Sequence, residues 1–183
     1  MRGKAINMVI VLTLISALSA LILSGVNEFT SEKIKAAYRQ DFLKGLTSVL
    51  PAYDNEPDVE YKDFDGNRIY IARKGGQVVG YAVQTVSHKG YAGDIVVLVG
   101  ADTAGKITGI EMIKHAETPG LGSRIESPEW RDTFKGMTAD SKISVKKDGG
   151  DIDSFSGATI SPRAVCEAVS NALKHLRQAG VTK

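Results

Sequence analysis

The sequence predicts an α+β fold: an antiparallel sheet flanked by helices, preceded by a single N-terminal transmembrane helix. Three observations lead there. Residues 6–23 are almost wholly apolar. Between Asn67 and Lys114, short runs rich in Val, Ile and Tyr alternate with glycine-bearing turns. From Val165 onward, apolar residues recur at helical spacing.

The N-terminal run, Ile6 to Leu23, is interrupted only by Asn7, Thr13, Ser16 and Ser19. About 18 residues rise roughly 27 Å as a helix, close to the hydrocarbon thickness of a bilayer. Arg2 and Lys4 precede the run, so the positive-inside tendency keeps the N-terminus cytoplasmic and places the remainder on the far side, although Lys33 and Lys35 there soften the signal. A cleaved signal peptide is the rival reading. Ser19 and Ala20 are small, but the apolar run continues through Leu23 without a small-x-small site, which favours an uncleaved anchor over residues 1–28.

A connecting helix and linker are expected over residues 29–56. Ser31 is placed to cap a helix running to Leu50, with Ile34, Ala37, Tyr38, Phe42, Leu46 and Val49 on or near one face and Pro51 ending it. The period then changes. Strands are expected at Asn67–Ala72, Gln77–Val86, Gly93–Val99 and Lys106–Lys114, with hairpin turns at Asp65-Gly66 and Ala104-Gly105. Ser127-Pro128-Glu129-Trp130 starts a short helix towards Phe134, and Ser141–Val145 reads as one more strand. A long terminal helix follows, with Ser161 as N-cap, Pro162 at the first helical position, and Val165, Ala168, Val169, Ala172, Leu173 and Leu176 on its apolar face.

Composition excludes several classes of function. Of 183 residues, 43% are hydrophobic, enough for one domain with a core plus an appendage. The formal net charge of +2 gives no case for nucleic-acid binding. The single cysteine, Cys166, excludes an intramolecular disulfide and any cysteine-rich metal or iron–sulfur site. It reads as a small core residue on the terminal helix; a reactive thiol is the alternative, and no base flanks it. His115 and Glu117 are too few for a metal site. Ser156 is not in a Gly-x-Ser-x-Gly elbow, and no histidine is assigned to it.

Two segments carry chemistry. In Asp153-Ser154-Phe155-Ser156-Gly157-Ala158-Thr159-Ile160-Ser161-Pro162, a flexible Ser-Gly-Ala-Thr turn runs directly into a helix start. Thr159 thus presents its hydroxyl beside the positive end of a helix, where an anion is favoured. In His115-Ala116-Glu117-Thr118-Pro119-Gly120-Leu121-Gly122-Ser123-Arg124, glycines beside a proline make a loop able to lay amides along a flat heterocycle; a surface turn is the plain alternative.

At these residues the chain resembles a known family. Asp153-x-x-Ser156-Gly157-Ala158-Thr159 is similar to the pattern at which a flavin transferase joins FMN to the last threonine by a phosphoester. Glu117-Thr118-Pro119-Gly120-Leu121-Gly122 resembles the second signature of the same FMN-binding domain. With one anchor and one domain, the chain resembles the G subunit of Rnf-type electron-transport complexes, a family related to the C subunit of the sodium-pumping NADH:quinone reductase.

The resemblance implies a covalent FMN-binding domain over residues 57–183, with FMN on Thr159 and Ser161 as the rival acceptor. It also implies cofactor contacts from Ser156, Gly157, Ala158, Ser161, Glu117, Thr118, Gly120 and Leu121. Tyr91, in Gly90-Tyr91-Ala92-Gly93, is open between stacking on the flavin and a structural role at a strand start. Arg124 and Lys114 are open between balancing cofactor charge and exposed ion pairing, and Asp153 between transferase recognition and a solvated turn.

The implied function is electron relay, without a substrate reaction or catalytic residue of its own. It would operate in a membrane complex coupling ferredoxin and NAD oxidoreduction to movement of Na+ or H+. Partners would be the other subunits, the flavin transferase and the membrane, with the FMN domain extracytoplasmic. A quinone reductase component, another exported flavin system, or a module that never receives FMN are the alternatives.

Overall fold

The structure is a computed structural model that describes residues 2–182. Met1 and Lys183, the outer bounds of the expected anchor and FMN domain, lie outside the described residues. The chain divides into two units, Met1–Asp41 and Phe42–Lys183.

Helix α1 spans Arg2–Val49 without a break. This corrects the expectation of two helices separated near residue 28, with Ser31 as a cap. The Ser31 hydroxyl instead donates to the Glu28 carbonyl inside one helix. Gly25 is the only strong helix-weakener between Leu23 and Ser31, and a single glycine costs only about 1 kcal/mol. In the first unit the apolar side chains from Ile6 to Leu23 are exposed around the helix. Here lies a segment long and apolar enough to cross a membrane. Its Thr13 hydroxyl donates to the Val9 carbonyl at 2.9 Å, so this polar group is satisfied within the helix.

The second unit is built on a five-stranded antiparallel meander: β1 Tyr61–Phe64, β2 Asn67–Lys74, β3 Gln77–Ser87, β4 Ile95–Asp102 and β5 Ile107–Lys114, in spatial order β1-β2-β3-β4-β5. Asp65-Gly66 forms the β1–β2 turn as expected, and Gly75-Gly76 joins β2 to β3. The β4–β5 turn centres on Thr103-Ala104, one residue before the expected Ala104-Gly105, closed by the Gly105 amide donating to the Asp102 carbonyl at 3.0 Å. β4, between β3 and the edge strand β5, is the most buried strand, covered on both faces from Ile95 to Ala101. One face packs against the end of α1: Leu46, Val49 and Leu50 meet Tyr70, Ala72, Ala82 and Leu98. On the other face, Ile69, Val83, Val97 and Val99 share a core with Val165, Ala168, Val169, Ala172, Leu173 and Leu176 of the terminal helix. The sheet is therefore the middle layer of three, the arrangement that buries both of its faces.

Between β5 and the terminal helix the chain makes a long irregular excursion. It contains the short helix α2, Pro128–Arg131, and three 3-10 turns, at Gly122–Glu126, Asp132–Phe134 and Lys146–Asp148. Trp130 anchors it, packing on Phe134 and Phe155 with ring centroids 5.2 and 5.4 Å away. Its indole N–H donates to the Asp153 carbonyl at 2.7 Å. The strand expected at Ser141–Val145 does not form: only Val145 makes a bridge, parallel, to Ile152.

The terminal helix, α3, runs Ile160–Gln178 and starts two residues earlier than expected. Thr159, not Ser161, is the N-cap residue, and Pro162 is the third helical residue rather than the first. Ser161 is drawn away from capping because its side chain is buried against a distant carboxylate.

Candidate functional site

Three loops meet at the end of the sheet where β3 ends, β4 begins and β5 ends. They are the β3–β4 loop, 88–94, the segment after β5, 115–122, and the turn before α3, 156–159. Together with the first turn of α3 they enclose a cleft of about 390 Å³ lined by Tyr91, Glu117, Thr118, Leu121, Gly122, Gly157, Ala158, Thr159, Ile160 and Ser161.

The Thr118-Pro119-Gly120-Leu121 turn is closed by the Leu121 amide donating to the Thr118 carbonyl at 3.2 Å. Proline at its second position and Gly120 at φ +75° in the third follow the preference of a type II turn. The turn leaves the Leu121 side chain 49% exposed at the cleft. The Ser156-Gly157 turn is closed by the Ala158 amide donating to the Phe155 carbonyl at 3.1 Å. Gly157, at φ +77°, takes the left-handed conformation that an L side chain resists. This turn delivers Thr159 to the helix start with no capping bond from its side chain.

Glu117 ties the loops together. It is 5% exposed. One carboxylate oxygen accepts the Ser161 hydroxyl at 2.6 Å, and the other accepts the Ala92 amide at 3.1 Å. Its own amide donates to His115 Nδ1 at 3.1 Å, which leaves Nε2 to carry the proton donated to Glu126 at 2.8 Å. Gly122 must be bare here: a Cβ would lie 2.5 Å from the Glu117 carboxylate and 2.7 Å from the Ser161 hydroxyl.

Charges around Thr159 are unevenly used. Lys146 pairs with Asp153 at 2.8 Å, and Arg163 grips Asp148 with two bonds of 2.6 Å. The Arg163 guanidinium holds the Asp148 carboxyl below its ordinary range. Lys147 instead donates to the Thr159 hydroxyl at 3.2 Å and forms no ion pair among the described residues. Arg124 lies 4.5 Å over the Phe155 ring. Lys114 is exposed at the end of β5.

The structure thus brings Tyr91, Glu117, Thr118, Leu121, Gly157, Ala158, Thr159 and Ser161 to one cleft. Gly120 and Ser156 do not line it; they shape the turns beside it. Tyr91, 71% exposed, sits in the loop before β4 and not at a strand start. Ile160, 45% exposed, joins the cleft without being singled out by the sequence, although an apolar residue at the first turn of an otherwise buried-face helix is a readable signal. A larger groove of about 490 Å³ runs along α3 beside Cys166 and Glu167 and shares Ile160 with the cleft. Among the described residues, no group of three or more His, Cys, Asp or Glu side chains is placed to hold a metal.

The cleft presents exposed apolar side chains, backbone turns and one cation-facing hydroxyl, and residues 90–174, which include all of its lining, match the FMN-binding domain family. Full-length similarity is more specific. The G subunit of the ion-translocating oxidoreductase complex of Yersinia pestis is 42% identical, over 92% of this chain and 88% of its own. That of Stutzerimonas stutzeri is 40% identical, over 89% and 77%. The chain belongs to the G-subunit family of these Rnf-type ion-translocating oxidoreductase complexes. Among solved structures, the C subunit of the Na+-translocating NADH-quinone reductase of Parabacteroides distasonis superposes with a TM-score of 0.52 at 25% identity, covering 64% of this chain and 63% of that one.

Proposed function

We propose that this chain is the membrane-anchored flavin subunit of an Rnf-type complex, relaying electrons through an FMN joined by a phosphoester to Thr159. The observation that carries the reading is the convergence of Thr118, Leu121 and Thr159, from segments far apart in sequence, on one cleft. The residues fit the group. Leu121, Ile160 and Tyr91 offer apolar and aromatic surface for a ring, the 118–121 turn offers backbone polar groups, and Thr159 offers a hydroxyl with Lys147 beside it. Bound FMN supplies transfer of one or two electrons at a time. The chain's own residues fix its position, and the Glu117 bonds keep the loop after β5, the β3–β4 loop and the first turn of α3 in register around it. No general acid or base aimed into the cleft is required, because a relay moves electrons without remaking a substrate.

Attachment suits a cofactor that must stay on one side of a membrane. In this reading α1 anchors the chain with its N-terminus in the cytoplasm and the FMN domain outside it, following Arg2 and Lys4. The other complex subunits, the membrane and, during maturation, a flavin transferase are the partners. The coupled ion is Na+ or H+, with ferredoxin and NAD at the two ends of the electron path. A quinone reductase component is the second reading, favoured by the likeness to the Parabacteroides distasonis structure. The higher identity and near full-length coverage of the oxidoreductase-complex relatives favour the first.

The test is flavin fluorescence on the denatured, electrophoresed chain after coexpression with a flavin transferase. Fluorescence is expected on the native sequence and none on Thr159→Ala. Normal fluorescence on Thr159→Ala would move the acceptor elsewhere, with Ser161 the first place to look.

A further inference from the structure

We infer that Lys147 and Glu117 together decide which hydroxyl of the Thr159-Ile160-Ser161 segment receives the flavin phosphate, Lys147 by promoting Thr159 and Glu117 by withholding Ser161. The inference rests on the covalent reading above and names the residues that govern it.

The two hydroxyls are two positions apart but stand in opposite surroundings. Ser161 is 1% exposed, and its hydroxyl proton is donated to a buried carboxylate at 2.6 Å. A phosphate arriving there would meet like charge in a site closed to water, where repulsion is strong. It would also strip Glu117 of a partner that helps hold the loops. Thr159 is half-buried and at the cleft. Its oxygen accepts from the Lys147 ammonium at 3.2 Å, so its own proton is free to leave. The neighbouring cations do not compete for this role, since Asp153 holds Lys146 and Asp148 holds Arg163.

The transfer balances without redox change. The donor is a pyrophosphate ester of FMN bound by the transferase. A bond forms between the Thr159 oxygen and the FMN phosphorus as the pyrophosphate P–O bond breaks. The nucleoside monophosphate departs with the electron pair, and the hydroxyl proton passes to a base of the transferase. Lys147 lies beside the oxygen where negative charge gathers during attack, and it stays beside the phosphoester that results. A preplaced cation at such a point is a large electrostatic contribution to transfer.

The experiment measures the initial rate of covalent flavin incorporation into the full chain by purified transferase and flavin dinucleotide, with peptide mapping of the product. Native sequence, Lys147→Gln, Lys147→Arg and Thr159→Ala are compared. Lys147→Gln is expected to slow incorporation about tenfold, and Lys147→Arg to recover most of the rate, since a charged donor is restored. Thr159→Ala is expected to carry no flavin on Ser161. Lys147 is exposed and, among the described residues, its side-chain bond is to Thr159, so circular dichroism of Lys147→Gln should match the native chain. An unchanged rate for Lys147→Gln, or flavin on Ser161 in Thr159→Ala, would overturn this inference while leaving a covalent flavoprotein in place. A native chain that takes up no flavin would overturn the covalent reading, and this inference with it.

Discussion

The Ser161 hydroxyl donates to the Glu117 carboxylate at 2.6 Å across 44 positions of sequence, with both residues buried. This bond joins the first turn of α3 to the loop after β5, and the second Glu117 oxygen extends the link to Ala92. One carboxylate therefore ties the loop after β5 to both the β3–β4 loop and the first turn of α3, which border the cleft.

Glu117→Ala removes that carboxylate and leaves the Ser161 hydroxyl and the Ala92 amide without partners. Loss of bonds to a charged group, with the buried Ser161 hydroxyl left without a partner, costs about 1–3 kcal/mol. Urea unfolding of the domain should show a drop of that size, with the Ala92 amide losing protection from hydrogen exchange. Unchanged protection at Ala92 would remove Glu117 from its linking role.

Gly122→Ala tests the same link from the other side. The added methyl would press on the Glu117 carboxylate and the Ser161 hydroxyl, and overpacking of this kind costs about 1–3 kcal/mol. Gly120→Ala, where the added Cβ meets open space but φ is +75°, should cost less, about 1 kcal/mol. A larger loss for Gly120→Ala than for Gly122→Ala in parallel urea titrations would contradict the packing described.

Leu121→Ala should leave folding stability within about 0.5 kcal/mol, because the side chain is half exposed and outside the core. On the flavinylated chain it should shift the flavin absorbance and midpoint potential, since the ring loses an apolar neighbour. Identical spectra and redox titrations would place Leu121 away from the ring.

Cys166 is buried, and burial pushes its thiol up to about 12. The folded chain should resist iodoacetamide near pH 8.5 and react on denaturation. Alkylation of the folded chain at the rate of the unfolded one would show that α3 opens around it.

Acid should weaken the domain through carboxylates held by cations, the exposed Asp148 and the half-buried Glu167. The Arg163 guanidinium holds Asp148 below its ordinary value of 3.8, and Lys89, with help from Ser87, holds Glu167 below 4.5. Both values are lower folded than unfolded, so their stabilisation is fully present above the ordinary values. It is lost as pH falls through the lowered ones. Melting temperatures of Asp148→Asn should therefore fall less between pH 6 and pH 3 than those of the native chain (two pH values chosen to bracket about 4, where carboxylates titrate). Equal slopes would exclude the Asp148–Arg163 pair from acid sensitivity.

The strands with Val, Ile and Tyr runs between glycine turns are legible in the sequence because local chemistry alone marks them. β1 is not: Tyr61–Phe64 is four residues, exposed at the sheet edge and half charged, so nothing in it alternates. The continuity of α1 is hidden by polar residues near Ser31 that resemble a cap but bond back into the helix. Ser141–Val145 has strand-like composition but no neighbouring edge to pair with beyond Val145. In the site, the two signature turns are legible from their Gly and Pro positions. The Glu117–Ser161 bond is not, since only the folded sheet brings the loop after β5 to the start of α3. For the same reason Ser161, a good cap by residue type, has a different task in the fold.

A flavin phosphoester on Thr159 is the claim on which the functional reading turns. Intact mass of the full chain coexpressed with a flavin transferase, followed by peptide mapping, tests it most directly. The expected result is a gain equal to FMN less one water, localised to Thr159. An unmodified mass beside an active transferase, or the same gain on another residue, would contradict it.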